Sequence, residues 1–216
     1  MATGTELPLR CRCGTVRGVA RDVAPTTVNH CFCYCDDCQA FAHFLGRADE
    51  VLDSYGGTEI TQISQANVGF TAGADKVAAM RLSATGMIRW YASCCRTPIG
   101  NTMATSAMPF IGVIKAFIDA PSAALGPIRG RGFAKSAKGG AAAVPKDGSP
   151  DLVMVARMVG KLLRWRLRGD HKRSPLFDAA TGKPLVEPRV LDAAEREDLR
   201  LRCARWRGEP VPGGST

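Results

Sequence analysis

The sequence predicts a mainly β fold with a helical extension at its C-terminal end. Three observations carry this. Leu7, Leu9, Cys11 and Cys13 alternate with polar or charged residues, which is the period of a strand. From Glu59 to Ser93, short apolar runs are cut by Gly73 and Gly86. From Asp151 to Arg168 the apolar period becomes that of an amphipathic helix.

The first strand ends in Cys11-Arg12-Cys13-Gly14, both cysteines on one face, and Gly14 lets the backbone turn. Such a pair suits half of a four-cysteine zinc site, and equally two positions in a core. Val28 to Cys35 reads as a second extended stretch and runs into the densest feature of the chain. Cys31, Cys33, Cys35 and Cys38 are four of the nine cysteines. Thiolates at C-x-C-x-x-C spacing converge on one zinc ion, so Cys33, Cys35 and Cys38 are candidate ligands. Three ligands leave one tetrahedral position open. Cys31 shares a face with Cys33 and Cys35 and is the alternative ligand that would close the site. Asp36 is expected to cap a helix, with Gln39 completing a capping box. Phe41, Phe44 and Leu45 then follow at helical spacing as core residues. Cys38 falls in the first turn, where free N–H groups and the helix dipole favour a thiolate. His30 and His43 are candidate general bases by sequence proximity alone.

Four further strands are expected at Glu59–Ser64, Val68–Thr71, Lys76–Ser83 and Met87–Ser93. The last leads into Cys94-Cys95-Arg96-Thr97-Pro98, where a turn would let both cysteines reach one metal. Residues 126–150, rich in Gly, Ala, Lys and Pro, read as a linker or loop. Ser149 and Pro150 supply a cap and a first-turn proline for the helix that follows. On it Leu152, Val155, Val159, Leu162 and Leu163 fall on one side. Arg157, Lys161, Arg164 and Arg168 fall on the other as an exposed basic stripe. A second helix is expected at Ala193–Arg207, with Cys203 packed alone. These readings divide the chain into a cysteine-bearing domain (1–125), a linker (126–150) and a basic helical extension (151–216).

The formal charge of +9 lies wholly in the second part of the chain. Residues 1–125 carry ten Lys/Arg and ten Asp/Glu, whereas residues 126–216 carry nineteen and ten. That asymmetry suits an anionic partner, nucleic acid or a membrane surface, met through residues 157–168. A solvated basic face is the simpler alternative. The first residues lack the apolar core of a signal peptide, and no stretch is long and apolar enough to span a bilayer. A soluble, cytoplasmic protein is expected, and in that compartment clustered cysteines hold metal more often than disulfides.

Three cysteine groups now stand in order: Cys11-x-Cys13-Gly14, Cys33-x-Cys35-x-x-Cys38, and Cys94-Cys95-x-Thr97-Pro98-x-Gly100. Over residues 7–120 this order resembles the glutathione-dependent formaldehyde-activating enzymes and centromere protein V. The resemblance implies a β-tent, small antiparallel sheets joined through zinc, with two zinc ions per chain. It implies that Cys11, Cys13, Cys94 and Cys95 hold a structural zinc, and that Cys33, Cys35 and Cys38 hold one with catalytic potential. It implies carbon–sulfur lyase activity on glutathione or another thiol adduct. The alternative is a non-catalytic zinc-stabilised module. The chain differs from the family pattern at Ala92, where a cysteine is usual, at Arg96, where glycine is usual, and at Gln39, where a basic residue is common.

Overall fold

The computed structural model describes residues 4–148 and 151–211. In chain order, β1 (Thr5–Arg10) and β2 (Arg17–Val23) form a hairpin, and β3 (Asn29–Cys33) runs into α1 (Asp36–Phe44). A single turn, α2 (Ala48–Val51), precedes β4 (Thr58–Ser64), β5 (Val68–Ala72), β6 (Val77–Arg81), β7 (Ile88–Ala92), β8 (Thr97–Thr102) and β9 (Phe110–Ile114). Then come β10 (Ile128–Gly132), α3 (Asp151–Leu167), β11 (Arg189–Val190) and α4 (Ala193–Arg207). The expected cap at Ser149 and Pro150 lies outside the described residues.

The architecture is mainly β, with a C-terminal helix. A small sheet has the order β1-β2-β5, and a large one the order β10-β3-β4-β9-β8-β7-β6-β11. Pairing is antiparallel in the small sheet and through most of the large one. One sheet has eight strands, and both its edge strands, β10 and β11, pair in parallel. Leu7, Leu9, Ala20 and Val68 of the small sheet meet Ile88, Trp90, Ile99 and Ile111 of the large one in a single apolar core. On the other face of the large sheet, Phe41 and Leu45 of α1 and Leu199 of α4 pack over Ile60, Met80 and Ile114. The expected roles of Phe41 and Leu45 hold, since both are buried.

Three local expectations fail. First, the span 126–150, expected to be a linker or loop, includes a strand: β10 pairs with the cysteine-bearing strand β3, register Gly132 to Cys33. The segment is anchored further on. The Tyr34 hydroxyl donates to Asp53 at 2.9 Å, accepts from Arg131 at 2.7 Å, and Arg131 pairs with Asp147. Glycine-rich composition suggested mobility, but a glycine strand is what lets Met154 of α3 approach the β10 backbone at Gly130. Second, the Asp36–Gln39 capping box does not form. Cys35 occupies the cap without a side-chain bond. Gln39 is fully buried instead, its amide donating to the carbonyls of Tyr34 at 2.8 Å and Ser136 at 2.9 Å. Third, α3 is turned over. Met154, Met158, Lys161 and Trp165 face the body, where Asn29 meets the Met158 sulfur at 3.7 Å and Trp165 is buried. Leu152, Val155, Val159 and Leu163 are exposed, and Arg157 and Lys161 of the supposed outer stripe are half-buried. No helix among the described residues is long and apolar enough to cross a membrane.

Candidate metal centres

The hairpin end of β1–β2 and the turn between β7 and β8 bring Cys11, Cys13, Cys94 and Cys95 together, with all four sulfurs within 4.8 Å of one another. Gly14 makes the first turn possible: at φ 77° it occupies the left-handed region, and its N–H donates to the Cys11 carbonyl at 2.8 Å. The Val16 amide donates to the Cys11 sulfur at 3.2 Å. In the second turn Cys94 and Cys95 have left the pleat of β7, so the alternation of a strand no longer sends them apart. Arg96 closes that turn at φ 58°, a conformation that suits the glycine of the resembled pattern better than an arginine.

The sulfur separations are 3.5 Å for Cys11–Cys13, 3.9 Å for Cys11–Cys94, 3.4 Å for Cys13–Cys94 and 3.9 Å for Cys94–Cys95. Tetrahedral zinc with bonds of about 2.3 Å requires sulfurs roughly 3.8 Å apart. A disulfide would need about 2.05 Å. The donor set therefore fits a metal ion and not a cross-link. The thiols are unequal: the Thr15 hydroxyl and backbone hold Cys13 down to about 6, while burial and the neighbouring sulfurs push Cys94 up to about 12. Since Cys11 and Cys13 follow the small sheet and Cys94 and Cys95 interrupt the large one, a metal held by the four would tie the two sheets together.

The second group comes from one short segment. Cys33 ends β3, Cys35 caps α1, and Cys38 returns from its first turn, so three sulfurs lie within 4.8 Å of one another. Cys33 and Cys35 are 3.4 Å apart. Cys31 is not part of this group. It sits two residues back on β3, about 6.6 Å along the strand, buried against the α1 core, and burial pushes its thiol up to about 12. Among the three, bonds from the Cys33 and Cys35 thiols hold Cys38 well below its ordinary range, and Arg89 adds to this.

Arg89 was not among the sequence candidates. It is 2% exposed, and its guanidinium meets Asp37 at 3.3 Å, the Asn101 carbonyl oxygen at 3.3 Å and the Cys38 sulfur at 3.8 Å, over the Phe41 ring. Burial opposes its charge, but the Cys38 thiolate and Asp37 keep it ionised. The available signal was a lone arginine in an otherwise apolar strand.

Beside the three sulfurs lies a cavity of about 510 Å³, its walls including Ile60, Met87, Phe110, Arg89 and Asn101, with Asp36, Asp37 and Phe133 also lining it. Neither His30 nor His43 lines it. His30 is committed elsewhere, its ring nitrogens 2.8 Å from the Gly126 carbonyl and 2.9 Å from Glu59.

Over residues 4–189 the chain matches the Family of unknown function (DUF6151). It belongs to that family. No curated protein matches it. The DUF6151 match takes in both cysteine groups, β10 and α3, and ends within β11, so α4 lies beyond it. The family thus reaches well past residue 125, the boundary expected from composition.

Proposed function

We propose that Cys33, Cys35 and Cys38 hold a zinc ion whose fourth position faces the adjoining cavity, and that a small thiol adduct binds there for carbon–sulfur bond cleavage. The cavity of about 510 Å³ beside three convergent sulfurs carries this reading. Zinc in a sulfur-rich site supplies a Lewis acid that accepts a further sulfur. The remaining work falls to the chain. Three thiolates leave surplus negative charge, and buried Arg89 offsets it. Ile60, Met87, Phe110 and Phe133 offer an apolar wall to the carbon part of the adduct. In a hemithioacetal, the hydroxyl proton passes to Asp37 as the C–S bond breaks, its electron pair stays on sulfur, and the carbonyl compound leaves.

The lining favours a neutral or cationic thiol over glutathione. Arg89 is the one basic group among the described lining residues, and it is engaged by Asp37, Asn101 and Cys38. Carboxylates of an anionic thiol would find no partner and would face Asp36 and Asp37.

Protein purified without chelator is expected to carry two zinc ions, falling to one in Cys35→Ser and staying at two in Cys31→Ala. Cobalt-substituted protein titrated with cysteamine, 2-mercaptoethanol and glutathione should change its charge-transfer spectrum with the first two at lower concentration. An iron–sulfur chromophore, loss of metal in Cys31→Ala, or no response to any thiol would sink the reading.

A further inference from the structure

Between Leu152 and Leu167 the helix α3 has no carboxylate. Its outer face carries Leu152 (80% exposed), Val155 (54%), Val159 (57%), Leu163 (60%) and Leu167 (79%). Ala156 and Gly160 lie on the same face, and so does Arg166, whose guanidinium donates to the Ala107 carbonyl at 3.1 Å and leaves its stem along the aliphatic row. An outward helix face is ordinarily polar, and a contiguous aliphatic one marks a surface that meets something apolar.

A basic lane runs beside this face. Arg157, Lys161, Arg164 and Arg168 share an arc of roughly 60° at 3.6 residues per turn. They converge with Thr26, Thr27 and Asp22 on a pocket of about 260 Å³. Lys161 donates to the Thr26 carbonyl at 2.5 Å, and the Arg157 Nη1 is buried without a partner. Arg168 lies 3.7 Å from Asp170, whereas Arg157, Lys161 and Arg164 form no ion pair among the described residues. Cationic groups gathered with so little counter-charge form a receptor for an anion.

We infer that α3 docks the protein on an anionic lipid surface, with headgroup phosphates in the Arg157–Lys161–Arg164–Arg168 pocket and the aliphatic face in the acyl margin. An in-plane amphipathic helix combines these two features. Nucleic acid would neutralise the lane but leave five large aliphatic side chains in water. A second copy of the chain would cover the aliphatic face but bring two basic lanes alongside each other. Lipid satisfies both halves of the helix.

The test uses the full chain and sedimentation with vesicles of phosphatidylcholine and phosphatidylglycerol in equal parts, at 50 mM and 500 mM salt. Wild type should co-sediment at low salt and lose at least tenfold in partitioning at high salt. Arg164→Glu with Arg168→Glu should lower partitioning at least tenfold, and so should Val159→Asp with Leu163→Asp, while circular dichroism and melting temperature stay at wild-type values. Vesicles of phosphatidylcholine alone should bind at least tenfold less. No vesicle binding overturns the inference. So does stabilisation by inorganic phosphate without vesicle binding, which would assign the pocket to a free anion. Binding of duplex DNA in place of vesicles, or a dimer that Val159→Asp with Leu163→Asp makes monomeric, would give the surface to another partner.

Discussion

Arg89 shows how a single residue can set the character of a site. Its charge is buried, and it balances a thiolate, a carboxylate and an amide at once. Removing one member of such a set strands the others. Arg89→Met should cost about 3–5 kcal/mol in unfolding free energy and weaken retention of one of two zinc ions, read by denaturant titration and chelator competition. Arg89→Lys keeps the charge but loses the fork, and should fall between the two. His30 gives a pH signature. Burial works against its charged form, but Glu59 and the Gly126 carbonyl win, so its value is raised above the ordinary 6.5, and that of Glu59 is lowered. The His30 contribution is complete below its unfolded value and is lost as pH rises through the folded one. Glu59 contributes above its own unfolded value and loses this as pH falls through the folded one. Stability measured from pH 5 to 9 should therefore decline on the alkaline side of 6.5, and His30→Gln should flatten that decline. An unchanged slope would remove the pair from the account.

At the scale of elements, β10 has the clearest consequence. It covers β3, and its loop anchors Tyr34 and Arg131. A fragment ending at residue 125 would bare the N–H and C=O row of β3 beside the thiols. Such a fragment should aggregate, whereas one ending at residue 148 should bring more material into the soluble fraction; equal solubility would show that β10 is dispensable. The strands from β4 to β7 were legible because their alternation and glycine punctuation are local. So were the α4 span and the cysteine groups, since spacing alone brings three sulfurs from one segment together. β10 was not legible, because Ile-Arg-Gly-Arg-Gly has no strand propensity and forms a strand only by pairing with residues about a hundred positions away. The turn of α3 was not legible either. Amphipathicity tells which residues share a face, not which face meets the body, and here the buried face is built from two methionines, a tryptophan and a lysine stem. Arg89 was hidden because burial of its charge depends on Asp37, Cys38 and Asn101, which come from two other elements.

For the whole molecule, the four-sulfur cluster lies between two sheets that also meet through side chains, the Arg12 amide on the Thr97 hydroxyl and the Leu9–Ile118 bridge. A metal there closes a loop of about eighty residues between Cys13 and Cys94, and binding free energy becomes folding free energy. Cys95→Ser and chelator treatment should each lower the melting temperature, and amide exchange should accelerate first in β1, β2 and β5. Uniform acceleration in both sheets would mean that the cluster does not join them. The order of synthesis gives the parallel pairing of β3 and β10 another meaning. At about 5–20 residues per second, roughly a hundred residues separate the emergence of Cys33 from that of Gly132. For about 5–20 s on the ribosome, Cys33, Cys35 and Cys38 are out while the strand that flanks Cys33 is not. On the proposed reading, a metal captured in that interval would hold the thiols until β10 pairs, so expression under zinc limitation should lower the yield of protein with reduced Cys33, Cys35 and Cys38.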